Sequence, residues 1–237
     1  MQKTNGFIGR RDLLKILGIG GISTITASLG MPKNAAADAS MPSIAPLETP
    51  DAALARLMAG NQRFVSGQTQ HPQQSINRVH KLTQSQSPFA IVLGCADSRV
   101  PGEVIFDQGL GNIFDVRVAG NIVTPEVLGS IEYAVAYLKT PLLVVLGHER
   151  CGAVSAAVQG GEFAGSISSL VNAIAPAVAR VKGRAGNMVE NVVVANVQYQ
   201  VEKLQQSSTM IQEAVRAGKL KIVGGRYDLD EGTVTLV

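Results

Sequence analysis

Two uninterrupted apolar runs, Phe89–Gly94 (FAIVLG) and Pro141–Gly147 (PLLVVLG), constrain this chain more than any other feature. A strand with one wet face alternates apolar and polar residues, whereas a strand covered on both faces is apolar throughout. Runs this short, bounded by Pro and Gly, predict buried strands. Residues 113–118, Leu220–Gly224 and Thr233–Val237 are further strand candidates, the last two joined by a polar turn from Asp228 to Gly232. Helical patterns separate them. Leu54, Leu57, Met58 and Phe64 recur at helical spacing after Asp51, which is read as an N-cap. Residues 75–84 form a short second helix. Thr124-Pro125-Glu126 opens another that runs to about Leu138, with Pro at an early position. Residues 152–158 and 166–180 are helical. Val192–Val194 alone suggests a strand, but Val189, Val193, Val197, Val201 and Leu204 recur every three or four residues, which favours a helix over 187–206. Residues 208–217 extend that helix and Gly218 caps it. Buried strands alternating with helices give an α/β fold, a central mainly parallel β-sheet flanked by helices, in one domain over residues 51–237.

The charge is unevenly placed. The chain carries a formal net charge of +3 over 237 residues. Residues 1–37 hold Lys3, Arg10, Arg11, Lys15 and Lys33 against Asp12, so the remainder is close to neutral and slightly acidic. The body therefore offers no electrostatic support for a nucleic-acid partner. The basic segment reads as an address. Arg10-Arg11-Asp12-Leu13-Leu14-Lys15 resembles a twin-arginine (Tat) consensus, and residues 16–32 follow without a charge. Ala35-Ala36-Ala37 then supplies a small-residue cleavage site. Residues 1–37 are thus expected to be a Tat signal peptide. They engage the Tat translocon and leave a chain starting at Asp38, exported to the periplasm or to a thylakoid lumen. An uncleaved anchor on the outer face is the alternative. Residues 38–50, rich in Pro, Ser and Ala, read as a linker.

The chain has two cysteines and three histidines. Cys95-Ala96-Asp97-Ser98-Arg99 follows the first apolar run directly, and His148-Glu149-Arg150-Cys151 follows the run at 141–147. Open α/β sheets build their sites at the ends of parallel strands. Two neighbouring strand ends would bring Cys95, Asp97, His148 and Cys151 together, and thiolate, imidazole and carboxylate suit tetrahedral Zn²⁺. Spacing alone also allows a disulfide between the two cysteines in an oxidising compartment, or a pair of inert buried thiols.

The same strings resemble the β-class carbonic anhydrase signature, C-x-D-S-R followed by H-x-x-C. Flanking segments extend the resemblance: Leu57 to Phe64, Gln86-Ser87-Pro88, Phe106 to Asn112, Arg117 to Asn121, Asn196-Val197 and Ile222 to Asp228. The resemblance implies a zinc enzyme for reversible hydration of CO₂ to bicarbonate, with an N-terminal helical arm that embraces a partner in a homodimer or larger homo-oligomer. It implies that Cys95, His148 and Cys151 are permanent zinc ligands. Asp97 is either the fourth ligand, in a closed state, or the partner of Arg99, in an open one. Gln86 donates its amide to a substrate oxygen. A COS or CS₂ hydrolase of the same fold and a noncatalytic zinc- or bicarbonate-binding homologue are the alternatives. The sequence departs from the family pattern at Asn112, Val118 and Asp115. Asp115 shares a strand face with Arg117, and the two are expected to pair at an edge or interface. His71 and His80 are assigned to surface or capping roles.

Overall fold

Five strands among the described residues form one sheet. The computed structural model describes residues 48–237. The expectations for the leader and for residues 38–47 lie outside the described residues. The strands are β1 (Ala90–Gly94), β2 (Ile113–Arg117), β3 (Leu142–His148), β4 (Lys221–Tyr227) and β5 (Val234–Leu236), and they lie in the order β2-β1-β3-β4-β5. β2, β1, β3 and β4 run parallel, and β5 returns antiparallel against β4. Every residue of β1 and β3 is buried, as their uninterrupted apolar sequences require.

Alternate residues of those two strands serve opposite layers. Ala90, Val92, Leu142, Val144 and Leu146 pack with Ala53 and Leu57 of α1 (Pro50–Val65) and Ile105 of α3 (Gly102–Ile105). Ile91, Leu93, Leu143 and Val145 pack on the other face. Their partners come from α4 (Pro125–Ala136), α7 (Met188–Ser207) and α8 (Thr209–Arg216). A third cluster gathers Cys95 and Cys151 with α5 (Gly152–Gln159), α6 (Ile167–Arg180) and α7. α2 (Ile76–Leu82) differs from the rest in burying none of its residues.

Helix starts follow side-chain capping. Thr124 accepts from Val127 N–H at the head of α4, where Pro125 needs no donor of its own. The first helix begins earlier than expected. Thr49, not Asp51, is its N-cap, with Pro50 at the first helical position and Asp51 in the first turn, where its charge suits the helix dipole. The long helical stretch is also two helices, not one. Ser208 takes extended dihedrals (φ −137°, ψ 115°), and its Oγ accepts from Ile211 N–H to start α8. Gly218, at φ +65°, follows the end of α8.

Candidate metal centre

β1 and β3 are neighbours in parallel register, with Gly94 opposite Leu146. The residues that follow them therefore emerge at the same edge of the sheet. Cys95 leaves β1, His148 ends β3, and Cys151 is the N-cap of α5. One donor atom from each of the three lies within 4.8 Å of the others, and all three residues are buried. Both cysteines are free, so the disulfide alternative does not hold here.

The histidine is set up as a donor. Its Nδ1 lies 2.8 Å from the Glu149 carbonyl. A carbonyl only accepts, so Nδ1 carries a proton, and in the neutral ring Nε2 is the nitrogen with the free lone pair. Nε2 is buried with no hydrogen-bond partner among the described residues. An orphaned buried nitrogen beside two thiols fits a thiophilic metal such as zinc.

The sulfurs are inequivalent. The Cys151 thiol donates toward Cys95, and the Gly120 N–H donates to Cys95 Sγ at 3.3 Å, so Cys95 is held well below the ordinary thiol range. Its negative sulfur, together with burial, pushes Cys151 up. Two adjacent sulfurs without a cation thus favour a single charge between them, and a divalent ion relieves that conflict.

Asp97 pairs with Arg99 in a fork: Nε to Oδ1 at 2.9 Å and Nη2 to Oδ2 at 2.8 Å. The Arg99 backbone N–H adds a third bond to Oδ1 at 3.0 Å. The guanidinium holds the Asp97 carboxyl well below the usual carboxylate range. Its Oδ2 stands 3.9 Å from His148 Nε2. Of the two arrangements anticipated for Asp97, this is the Arg99-paired one. Gln86 is exposed and lines a cleft with Val79, Leu82, Leu110 and Gly111; Cys95, Asp97, His148 and Cys151 do not line that cleft.

Several contributors escaped the sequence reading. Arg117 was expected to pair with Asp115, but it instead donates to the carbonyls of Cys95 (3.0 Å) and Asp97 (2.5 Å), pinning the loop that carries both. Among the described residues, Asp115 is left with a buried, unpartnered Oδ1. Burial and the nearby Glu103 charge push it up to about 6. The turn from His148 to Cys151 is tied from behind. Arg226 of β4 bridges Glu149 and Glu190, and Glu190 Oε1 accepts from Arg150 N–H at 3.2 Å. His71 and His80 are both exposed.

The carbonic anhydrase family model matches residues 90–234. The carbonic anhydrase of Mycolicibacterium smegmatis is 46% identical over 195 residues, which is 81% of this chain and 95% of that protein. Carbonic anhydrase 2 of Mycobacterium tuberculosis is 44% identical over 195 residues, 81% of this chain and 94% of its own. A tetrameric β-carbonic anhydrase of Sordaria macrospora shares the fold, with a TM-score of 0.63 at 24% identity over 78% of this chain and 96% of that one. The chain belongs to the β-class of the carbonic anhydrase family of enzymes.

Proposed function

We propose that this enzyme interconverts CO₂ and bicarbonate, CO₂ + H₂O ⇌ HCO₃⁻ + H⁺, with zinc held by Cys95, His148 and Cys151. The buried donor trio with its unpartnered His148 Nε2 carries the reading. Bound there, zinc supplies Lewis acidity, which brings the pKa of water from 15.7 to about 7.

The chain's own residues do the rest. Asp97 is fixed as a carboxylate by Arg99, so its role is that of an acceptor and not of a general base. It accepts a hydrogen bond from the attacking oxygen, which would react as hydroxide after its proton has left to solvent, and turns that oxygen's lone pair toward the carbon of CO₂. Arg99 engages both carboxylate oxygens and keeps Asp97 away from the metal. Gln86 is the proposed amide donor to a CO₂ oxygen, where it stabilises developing negative charge. It lines the cleft beside α2 and not the donor trio of its own subunit, so this role is assigned to the assembled oligomer.

Three surface features support a homo-oligomer. α2 exposes Ile76 and Val79, β2 is an open edge, and Tyr133 and Tyr137 stack in the open with ring centroids 5.4 Å apart. The Sordaria macrospora relative is tetrameric. Residues 1–37 are proposed to route the enzyme through Tat export, where folding before transport would let zinc reach both thiols before oxidation could join them.

Stopped-flow CO₂ hydration, with zinc counted by elemental analysis, tests the assignment. Chelation should abolish hydration and zinc should restore it. Asp97→Asn should keep the metal and turn over at least ~10-fold slower. Cys151→Ser should lose the metal; full occupancy in that variant would contradict the ligand set. Zinc-loaded protein that hydrolyses COS but hydrates no CO₂ at neutral or alkaline pH would refute the substrate.

A further inference from the structure

α7 carries a file of polar side chains into the core. Asn196 and Gln200 are 1% and 0% exposed, on a helix that otherwise buries Val192, Val193, Val197 and Leu204. Buried amides are costly unless fully bonded, so their partners show what they are for. All the partners outside α7 belong to one short segment. Gln200 Nε2 donates to Asn196 Oδ1 at 3.0 Å, and Asn196 Nδ2 donates to the Gly120 carbonyl at 2.9 Å. The Val123 N–H donates to Gln200 Oε1 at 2.9 Å. Lys203 Nζ, the next residue of the file, donates to the Val123 carbonyl at 2.8 Å. The segment from Gly120 to Val123 is thus held at both ends by one helix.

The held segment touches the metal centre at one atom. The Gly120 N–H is the donor to Cys95 Sγ. Gly120 has φ +75°, and a Cβ there would lie 2.7 Å from Ile174 Cδ1, so the backbone is also confined from the side facing α6. A backbone N–H pinned from α7 and blocked by α6 has little freedom to leave the sulfur.

We infer that Asn196 and Gln200 are positioning residues for the metal centre: they hold the Gly120 N–H on Cys95 Sγ and so set how strongly that sulfur donates to the metal. The inference rests on the zinc reading above. A hydrogen bond to a thiolate lowers the energy of the sulfur donor orbitals and weakens donation. Two thiolates soften a metal's Lewis acidity, and this donor counteracts part of that softening. Groups that orient and polarise metal ligands in this way typically change metal affinity by about 10- to 100-fold.

Cobalt(II) in place of zinc makes sulfur donation visible as a sulfur-to-metal charge-transfer band. Asn196→Leu removes the amide without adding charge. It should move that band to longer wavelength, and it should weaken zinc binding about 10-fold in a chelator competition, because the loss of a fixed position for Cys95 outweighs its stronger donation. Gln200→Met should move both in the same direction by less, and it carries the test if Asn196→Leu does not fold. Leu204→Ala, a fully buried position on the same helix outside the file, should lower the melting temperature and leave the band in place. An unmoved band in both amide variants, or an equal shift in Leu204→Ala, would overturn the inference. Unsubstituted protein that binds cobalt(II) without any sulfur band would instead overturn the metal assignment beneath it.

Discussion

Replacing Arg226 by Met should loosen the turn that presents His148 and Cys151. Met keeps much of the apolar stem and deletes the charge. In the structure Arg226 donates to Glu149 Oε1 and, through Nε and Nη2, to Glu190 Oε2 at 3.3 and 3.2 Å, and its Nη1 lies 3.6 Å from Asp228 Oδ2. Its removal leaves three carboxylates facing one another. Breaking a fully buried pair costs about 3–5 kcal/mol, and an exposed pair is worth at most ~1 kcal/mol. The side chains of Arg226, Glu149 and Glu190 are 23%, 14% and 26% exposed, which places this network between those limits. The expected loss is about 2–3 kcal/mol, or roughly 8 °C in melting temperature for a domain of this size. Urea unfolding of the metal-free protein at neutral pH measures it. Adding Glu149→Gln should return about 1 kcal/mol, because it removes one of the stranded charges. A loss under ~0.5 kcal/mol, or strict additivity in the double variant, would refute the claim that Arg226 is the hub.

Three further perturbations follow from the geometry. Asp115→Asn should stabilise the protein at pH 8 by about 1–3 kcal/mol. The Asp115 carboxyl holds its proton up to about 6 when folded, against an ordinary value of 3.8, so folding favours its protonated form. Its destabilising effect is absent at low pH and grows as pH rises from about 4 through 6; a gain from Asp115→Asn that persisted at pH 3.5 would show that charge is not the cause. Gly120→Ala should cost about 3 kcal/mol by thermal or urea unfolding, from left-handed strain and overpacking against buried Ile174. Ile76→Glu with Val79→Glu should convert an oligomer to a monomer in sedimentation velocity while leaving the circular dichroism unchanged, since neither residue is buried in the subunit.

The sheet was legible because its central strands are buried on both faces, and their sequences have no polar interruption to hide them. The same property made the site legible. Once 90–94 and 142–148 are neighbouring parallel strands, Cys95, His148 and Cys151 must meet at their ends. What escaped was decided by tertiary contacts or by elements too short to show a period. α3 spans four residues and has no periodicity to read. The break at Ser208 carried a local signal, Ser207-Ser208-Thr209, which the continuing apolar pattern outweighed. Nothing near Arg117 in sequence reveals that its guanidinium reaches two carbonyls of the loop that follows β1. Asn196 and Gln200 look like ordinary helix polar residues until Gly120 is placed beneath them.

Asp115 also bears on how β2 meets other chains. β2 pairs with β1 on one side only, and its other side, among the described residues, offers free backbone groups to any extended segment that approaches. The half-buried Phe114 adds apolar surface beside that edge. The stranded carboxylate counters it. Another strand laid alongside would bury Asp115 further, at a cost that grows while it stays charged. Above about pH 6 the charged carboxylate therefore disfavours strand addition at this edge. Each hydration of CO₂ releases a proton, and an enzyme working in a poorly buffered compartment would neutralise this safeguard itself.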